Sequence, residues 1–158
     1  KGRGARIEIL RNDGVLTVID DSYNASPASM RAAIAVLASS RPKHGGRRIA
    51  VLGDMLELGD TAPKLHAALA RDLENSGIDL VFCAGPHMNA LDAALPAAMR
   101  GGYARDTETL VTKVLDTVQA GDIVMVKGSL GSRMATIVDA LSGLDIAHAQ
   151  TPEVQHAV

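Results

Sequence analysis

Apolar side chains recur along this chain in two alternating periods, and the switches between them lay out the elements. Residues 5–10 and 15–20 are strand-like, carrying Ile7, Ile9, Val15, Leu16, Val18 and Ile19. Between them lies Arg11-Asn12-Asp13-Gly14, and Asn-Asp-Gly favours the tight turn of a hairpin. Residues 27–39 change to helical spacing, with Met30, Ile34 and Leu37 on one face. Ser26 suits the N-cap of that helix and Pro27 its first turn. Residues 47–52 are strand-like and end at Gly53-Asp54. Residues 61–75 are helical, with Leu65, Ala68, Leu69 and Leu73 on one face and Gly77 as the stop. Residues 78–84 form a short apolar strand of the kind buried in parallel sheets. An Ala-rich helix is expected over 87–99, a short strand around Tyr103, and a helix over 107–119. Residues 122–126 are strand-like, and residues 132–142 form a last helix. Strands alternating with helices predict an α/β fold, a mostly parallel sheet covered on both faces, led by a hairpin.

Composition narrows the class. The 158 residues are 47% hydrophobic with almost no aromatics: Phe82, Tyr23, Tyr103 and no Trp. A core of aliphatic side chains fits, and base-stacking platforms for nucleic acid do not. The net charge of −2 supplies no broad field for nucleic acid or an anionic membrane. One cysteine, Cys83 in an apolar run, excludes an internal disulfide and reads as a buried small hydrophobe. No apolar stretch approaches the roughly 18–20 residues of a membrane span. With no secretory leader evident, these features favour the cytoplasm. The Gly- and Arg-rich start, Lys1-Gly2-Arg3-Gly4, reads as the remnant of a hinge or linker. Residues 5–144 read as one domain, and the aperiodic residues 145–158 as a flexible tail.

The chemistry gathers at three strand ends. The densest run is Asp20-Asp21-Ser22-Tyr23-Asn24-Ala25-Ser26-Pro27. Capping a helix uses one or two polar residues, and this run has six in seven positions. The second cluster is Gly53-Asp54-Met55-Leu56-Glu57, with His66 downstream. Its spacing matches no metal motif, and Asp54, Glu57 and His66 have no assigned role. The third is Lys127-Gly128-Ser129-Leu130-Gly131-Ser132-Arg133. Its glycines permit close backbone approach, its serines and helix-start amides suit an anion, and Ser132 is a candidate N-cap. It is not a P-loop, because its lysine precedes the glycines. In a parallel sheet the carboxyl ends of the strands share one edge, so distant clusters converge on one cleft. No complete catalytic constellation is present, and the chain reads as a binding domain whose chemistry is completed elsewhere.

The runs Asp20 to Pro27, Val51-Leu-Gly-Asp-Met-Leu-Glu-Leu-Gly59 with His66, and Asp122 to Ser129 occur in order. Together they closely resemble the C-terminal domain of the Mur ligase family, in the branch that adds D-Ala-D-Ala to UDP-MurNAc-tripeptide. The resemblance runs from Gly2 to Leu141. It implies a Rossmann-like three-layer sandwich and an ATP-dependent amide ligase of peptidoglycan synthesis. It implies partners too: N-terminal and central ligase domains, the central one carrying the P-loop and most of the Mg²⁺ binding. By resemblance Arg3 and Asp21 contact ATP. Tyr23, Asn24 and Ala25 line the dipeptide pocket, and Lys127, Ser129 and Arg133 face the same cleft. No residue of this domain alone is implied as catalytic. Two positions depart from the family, which usually has Asn where Ser26 stands and commonly Arg where Leu130 stands. Arg133 is then the substitute cation for the dipeptide carboxylate. Two other readings are a stand-alone nucleotide or acyl-group binding module and another Mur-type amide ligase, adding a different amino acid or dipeptide.

The absent P-loop yields a first prediction. This chain alone unfolds in one cooperative thermal transition, and it releases no phosphate from ATP, UDP-MurNAc-tripeptide and D-Ala-D-Ala. Turnover by the isolated chain would overthrow the reading of an incomplete ligase.

Overall fold

The computed structural model describes residues 1–149. Six strands form one sheet: β1 (Ala5–Arg11), β2 (Gly14–Asp21), β3 (Arg48–Gly53), β4 (Leu80–Ala84), β5 (Arg100–Ala104) and β6 (Ile123–Lys127). Their spatial order is β1-β2-β6-β3-β4-β5. Only β1 is antiparallel, paired to β2 through the expected hairpin. The loop residues are Asn12 and Asp13, neither with positive φ, and the glycine conformation falls on Gly14 (φ 145°) at the start of β2.

The helices are α1 (Pro27–Ser39), α2 (Ala62–Asn75), α3 (Met88–Ala94), α4 (Thr107–Thr117), α5 (Ala135–Ser142) and α6 (Ile146–Ala149). They cover both faces, giving the expected three layers. Period-2 alternation in the apolar strands feeds two cores. Ala50, Leu52, Val81, Cys83, Ile123 and Met125 face the core built with α1, α2 and α3. Ile49, Val51, Phe82, Val124 and Val126 face the core built with α4 and α5. Phe82 fits because β5 carries two glycines, and a Cβ on Gly101 would lie 2.7 Å from its ring. Cys83 is fully buried, and burial pushes its thiol well up.

Three boundaries differ from expectation. The helix expected over 87–99 ends at Ala94, because Leu95 precedes Pro96 and adopts extended angles; one 3₁₀ turn (Ala97–Met99) follows. The last large helix starts at Ala135, not at 132, after a separate 3₁₀ turn (Leu130–Ser132). Of the tail expected over 145–158, α6 occupies residues 146–149, and residues 150–158 lie outside the described residues.

At the amino ends of the central strands a buried carboxylate joins β6 to β3. Asp122 accepts hydrogen bonds from the Arg47 amide (2.8 Å), the Arg47 guanidinium (2.9 Å to Nη2) and the Gln119 amide (2.8 Å). The Asp122 side chain is 1% exposed and that of Arg47 30%. Hydrogen bonding to Asp122 raises the Arg47 pKa further. Asp122→Ala is therefore expected to lower the unfolding free energy by about 2–3 kcal/mol, since it strands donors in a mostly dry site. Urea unfolding measures this, and an unchanged midpoint would remove the clamp from the account.

Candidate functional site

The carboxyl ends of β2, β6 and β3 are neighbours in the sheet, so the three polar clusters meet on one edge. Each is held by a different device.

At the end of β2, two consecutive carboxylates divide their work. Asp20 is buried and accepts from the Gly2 amide (3.1 Å), the Ser22 amide (3.2 Å) and the Ser22 hydroxyl (2.6 Å). Further backbone bonds run from Gly4 N to Asp20 O and from Tyr23 N to Gly2 O. Residues 2–4 are thereby fastened to the loop after β2, and the Arg3 guanidinium lies 4.4 Å over the Tyr23 ring. Asp21 points the other way, to Lys127. Ser26 caps α1 as expected, in a reciprocal pair with Ser29.

Lys127, at the end of β6, is in register with Asp21. Its side chain is 4% exposed. The ammonium donates to Asp21 Oδ2 (3.0 Å) and to the Asn24 carbonyl (2.8 Å). Those two bonds satisfy a charge that would be costly to bury alone. The Asn24 side chain turns back onto the Ala25 amide (2.8 Å).

The loop after β3 is bonded residue by residue to other elements. The Asp54 carbonyl accepts from Ser129 N (3.0 Å), and Leu56 N donates to Ser129 Oγ (2.9 Å). The Asp54 carboxylate accepts from the His87 and Met88 amides (3.2 and 2.9 Å), capping α3 from outside. Met55 N donates to His66 Nε2 (3.0 Å), so His66 donates from Nδ1 to the Ala62 carbonyl (2.6 Å). His66 is fully buried and stacks on His87 at 5.4 Å. Burial lowers its pKa, with a smaller push from His87, against the Ala62 carbonyl and Asp54. Asp54 and His66 thus hold backbone, while Glu57 is exposed at φ 63°. Among the described residues no group of three or more His, Cys, Asp and Glu side chains could hold a metal ion, so no step is assigned to a metal here.

Two clefts open on this edge in place of one. The first, about 340 Å³, is lined by Arg3, Asp21, Tyr23, Asn24 and Lys127, with Gly2, Ser26 and Ser29. The second, also about 340 Å³, lies over the ends of β4 and β5 and holds Arg133 with Arg105, His87, Asp54 and Glu108. Ala25 and Ser129 are buried between the loops. The 3₁₀ turn at Leu130–Ser132 stands between the clefts. Ser132 is not a helix cap, because its hydroxyl donates to the Ser129 carbonyl (2.6 Å). Met134 explains the turn's position: a Cβ on Gly53 or Gly128 would lie 2.6 Å from its Cγ. Arg133 adopts left-handed angles (φ 61°), and its guanidinium is 3.9 Å from Glu108, both well exposed; such a pair holds weakly. Arg105 escaped the sequence reading. Arg105 directly follows a strand end, the position that marked the other clusters, but β5 is too short and glycine-rich to show where it ends.

Comparison with known proteins bears on this edge. The family described as Mur ligase, glutamate ligase domain, matches residues 5–130. The chain is similar to the UDP-N-acetylmuramoyl-tripeptide–D-alanyl-D-alanine ligase of Bacillus subtilis, at 34% identity over 148 residues, covering 89% of this chain and 31% of that protein. The Escherichia coli protein of the same name is 34% identical over 142 residues, covering 89% and 29%. A crystal structure of MurF from Acinetobacter baumannii superposes with a TM-score of 0.73 at 29% identity, covering 90% of this chain and 31% of that one. This chain therefore spans about 30% of the length of the curated relatives it matches.

The His66 arrangement predicts an acid-side loss of stability. The folded protein keeps the imidazole neutral, whereas the unfolded chain takes up a proton near pH about 6.5. The contribution is complete above that pH and is lost as pH falls toward the lowered folded value. Urea unfolding at about pH 7.5 and about pH 5.5 should show a lower midpoint in acid, and His66→Gln should shrink the difference. An equal acid loss in both proteins would assign the effect to other groups.

Proposed function

The chain belongs to the Mur ligase family, and from that we propose that it is the C-terminal domain of an ATP-dependent ligase joining D-Ala-D-Ala to UDP-MurNAc-tripeptide in peptidoglycan synthesis. The observation that carries the reading is the meeting of three polar strand ends on one sheet edge, with Arg3, Asp21, Tyr23, Asn24 and Lys127 around one cleft. In this reading the domain acts in the cytoplasm, joined to an N-terminal domain for the UDP-sugar and a central domain for ATP.

ATP supplies the phosphoryl group that turns the tripeptide carboxylate into an acyl phosphate, with Mg²⁺ held mainly by the central domain. The amine of the dipeptide then displaces phosphate. This domain's part is to hold that amine in line and to exclude water as the ligase closes. The donor set fits a nucleotide at the first cleft. Arg3 forms no ion pair among the described residues and is braced on Tyr23, which leaves its charge for phosphate. Asp21 offers a carboxylate for a ribose hydroxyl.

The dipeptide carboxylate needs a free cation. Lys127 is committed to Asp21 and the Asn24 carbonyl, so it orients this loop. Arg133 is loosely paired, and Arg105 beside it forms no ion pair among the described residues. We assign the carboxylate to Arg133, in the second cleft beside Arg105; Tyr23 and Asn24 line the first cleft, and Ala25 and Ser129 are buried between the two, so the dipeptide is placed on the Arg133 side alone.

In the full ligase, Arg133→Ala should raise the Michaelis constant for D-Ala-D-Ala at least about tenfold, about 1.4 kcal/mol, and leave that for ATP little changed. Equal effects on both substrates would indicate a packing or closure role. No effect on either would return the carboxylate to Lys127 or to another domain.

A further inference from the structure

The loop after β3 walls the second cleft with Asp54 and Leu56, and His87 stands beside them. The loop carries strain: Glu57 holds a left-handed backbone (φ 63°) although it is not glycine, a conformation that lasts only where its surroundings enforce it. The enforcing bonds come from two sides. On one, the Asp54 carbonyl and the Leu56 amide are both bonded to Ser129. On the other, the Met55 amide donates to Nε2 of His66 (3.0 Å), whose Nδ1–H donates to the Ala62 carbonyl (2.6 Å). Both ring nitrogens are thereby engaged. A proton added at Nε2 would set donor against donor, and His66 and Met55 are both fully buried, so water cannot intervene. The titratable groups facing the ring are Asp54 from the same loop and His87 from the start of α3. Burial disfavours the charged ring more than Asp54 favours it, and His87 adds to the effect of burial.

We propose that His66 is a positioning residue for the second cleft: its neutral ring, with the proton on Nδ1, holds residues 54–57 in the form that takes the dipeptide, and protonation of the ring releases that wall and weakens dipeptide binding in acid. The choice of substrate rests on the function proposed above; the link between ring and loop does not. Released from His66, the loop is held by Ser129 alone, and the left-handed angles of Glu57 relax. Leu56 then shifts in the cleft wall. Asp54 shifts with it, and Asp54 fixes His87 through its amide.

Nitrogen NMR of this chain should show His66 as the Nδ1–H form at about pH 7.5, and the Leu56 and Ser129 amides should shift with the ring's own titration in acid. His66→Gln keeps an acceptor for the Met55 amide and cannot titrate there, so these shifts should vanish from it. In the full ligase, the Michaelis constant for D-Ala-D-Ala should rise from about pH 7.5 to about pH 5.5 by at least about fivefold more in the wild type than in His66→Gln. The same ratio for ATP should be equal in both. The dipeptide amine gains its proton alike in either protein, so the comparison isolates the imidazole. His66→Phe, which offers no acceptor, should raise the dipeptide constant at both pH values. An Nε2–H ring at neutral pH, or Leu56 and Ser129 amides indifferent to its titration, would overturn the proposal. So would equal dipeptide ratios in the wild type and His66→Gln, which would leave His66 a purely structural residue. A wild-type ligase inactive on D-Ala-D-Ala would instead refute the functional reading, with the amide shifts still deciding the link between His66 and the loop.

Discussion

The buried ammonium of Lys127 is the constraint on which the working edge depends. A charge with a side chain 4% exposed has to be met by acceptors at close range, and the protein offers the Asp21 carboxylate and the Asn24 carbonyl. Meeting that demand orients the loop after β2. It turns Asp21 toward β6, draws the backbone of residue 24 inward and leaves Tyr23 outside, where Arg3 rests on its ring. Asp20 completes the arrangement by fastening residues 2–4 from the opposite side. An ammonium so engaged holds the loop after β2 in place.

The loop after β3 plays the matching part on the other side of β6. It exchanges backbone bonds with Ser129, caps α3 through Asp54 and leans on a neutral His66. Close approach of three loops around Met134 requires glycine at positions 53 and 128. Beside that packing lies the Leu130–Ser132 turn, with a cleft on each side. The two clefts differ in lining: Arg3, Asp21 and Lys127 stand at one, and Arg105, Arg133 and Glu108 at the other.

Several elements were legible because their causes are local. Helix α1 runs over the predicted residues because Ser26 and Pro27 define its start within the segment itself. The hairpin, the parallel strands and the two-faced sheet follow from the period of apolar residues, since side chains alternate across a strand and recur along a helix face. The clusters at strand ends were visible for the same reason: once the strands are parallel, their carboxyl ends must share an edge. Even the early end of α3 has a local cause, Pro96, which excludes a helical Leu95.

What only the tertiary structure decided is where each polar side chain points on that edge. Asp20 and Asp21 are adjacent and chemically alike, yet one is buried against residues 2–4 and the other faces Lys127. The alternation of side chains across β2 separates them, but only the packing of distant segments says which partner each meets. Lys127 and Arg133 look alike as cations in one loop, and the packing of Met134 against two glycines sends them to different clefts. Asp54 and His66 resemble a catalytic pair until the Met88 and Met55 amides are seen to occupy them. Composition and period determine the elements and the edge. Hydrogen bonds and ion pairs between residues 11 to 106 positions apart decide which polar groups are engaged and which stay exposed, and no local pattern encodes them.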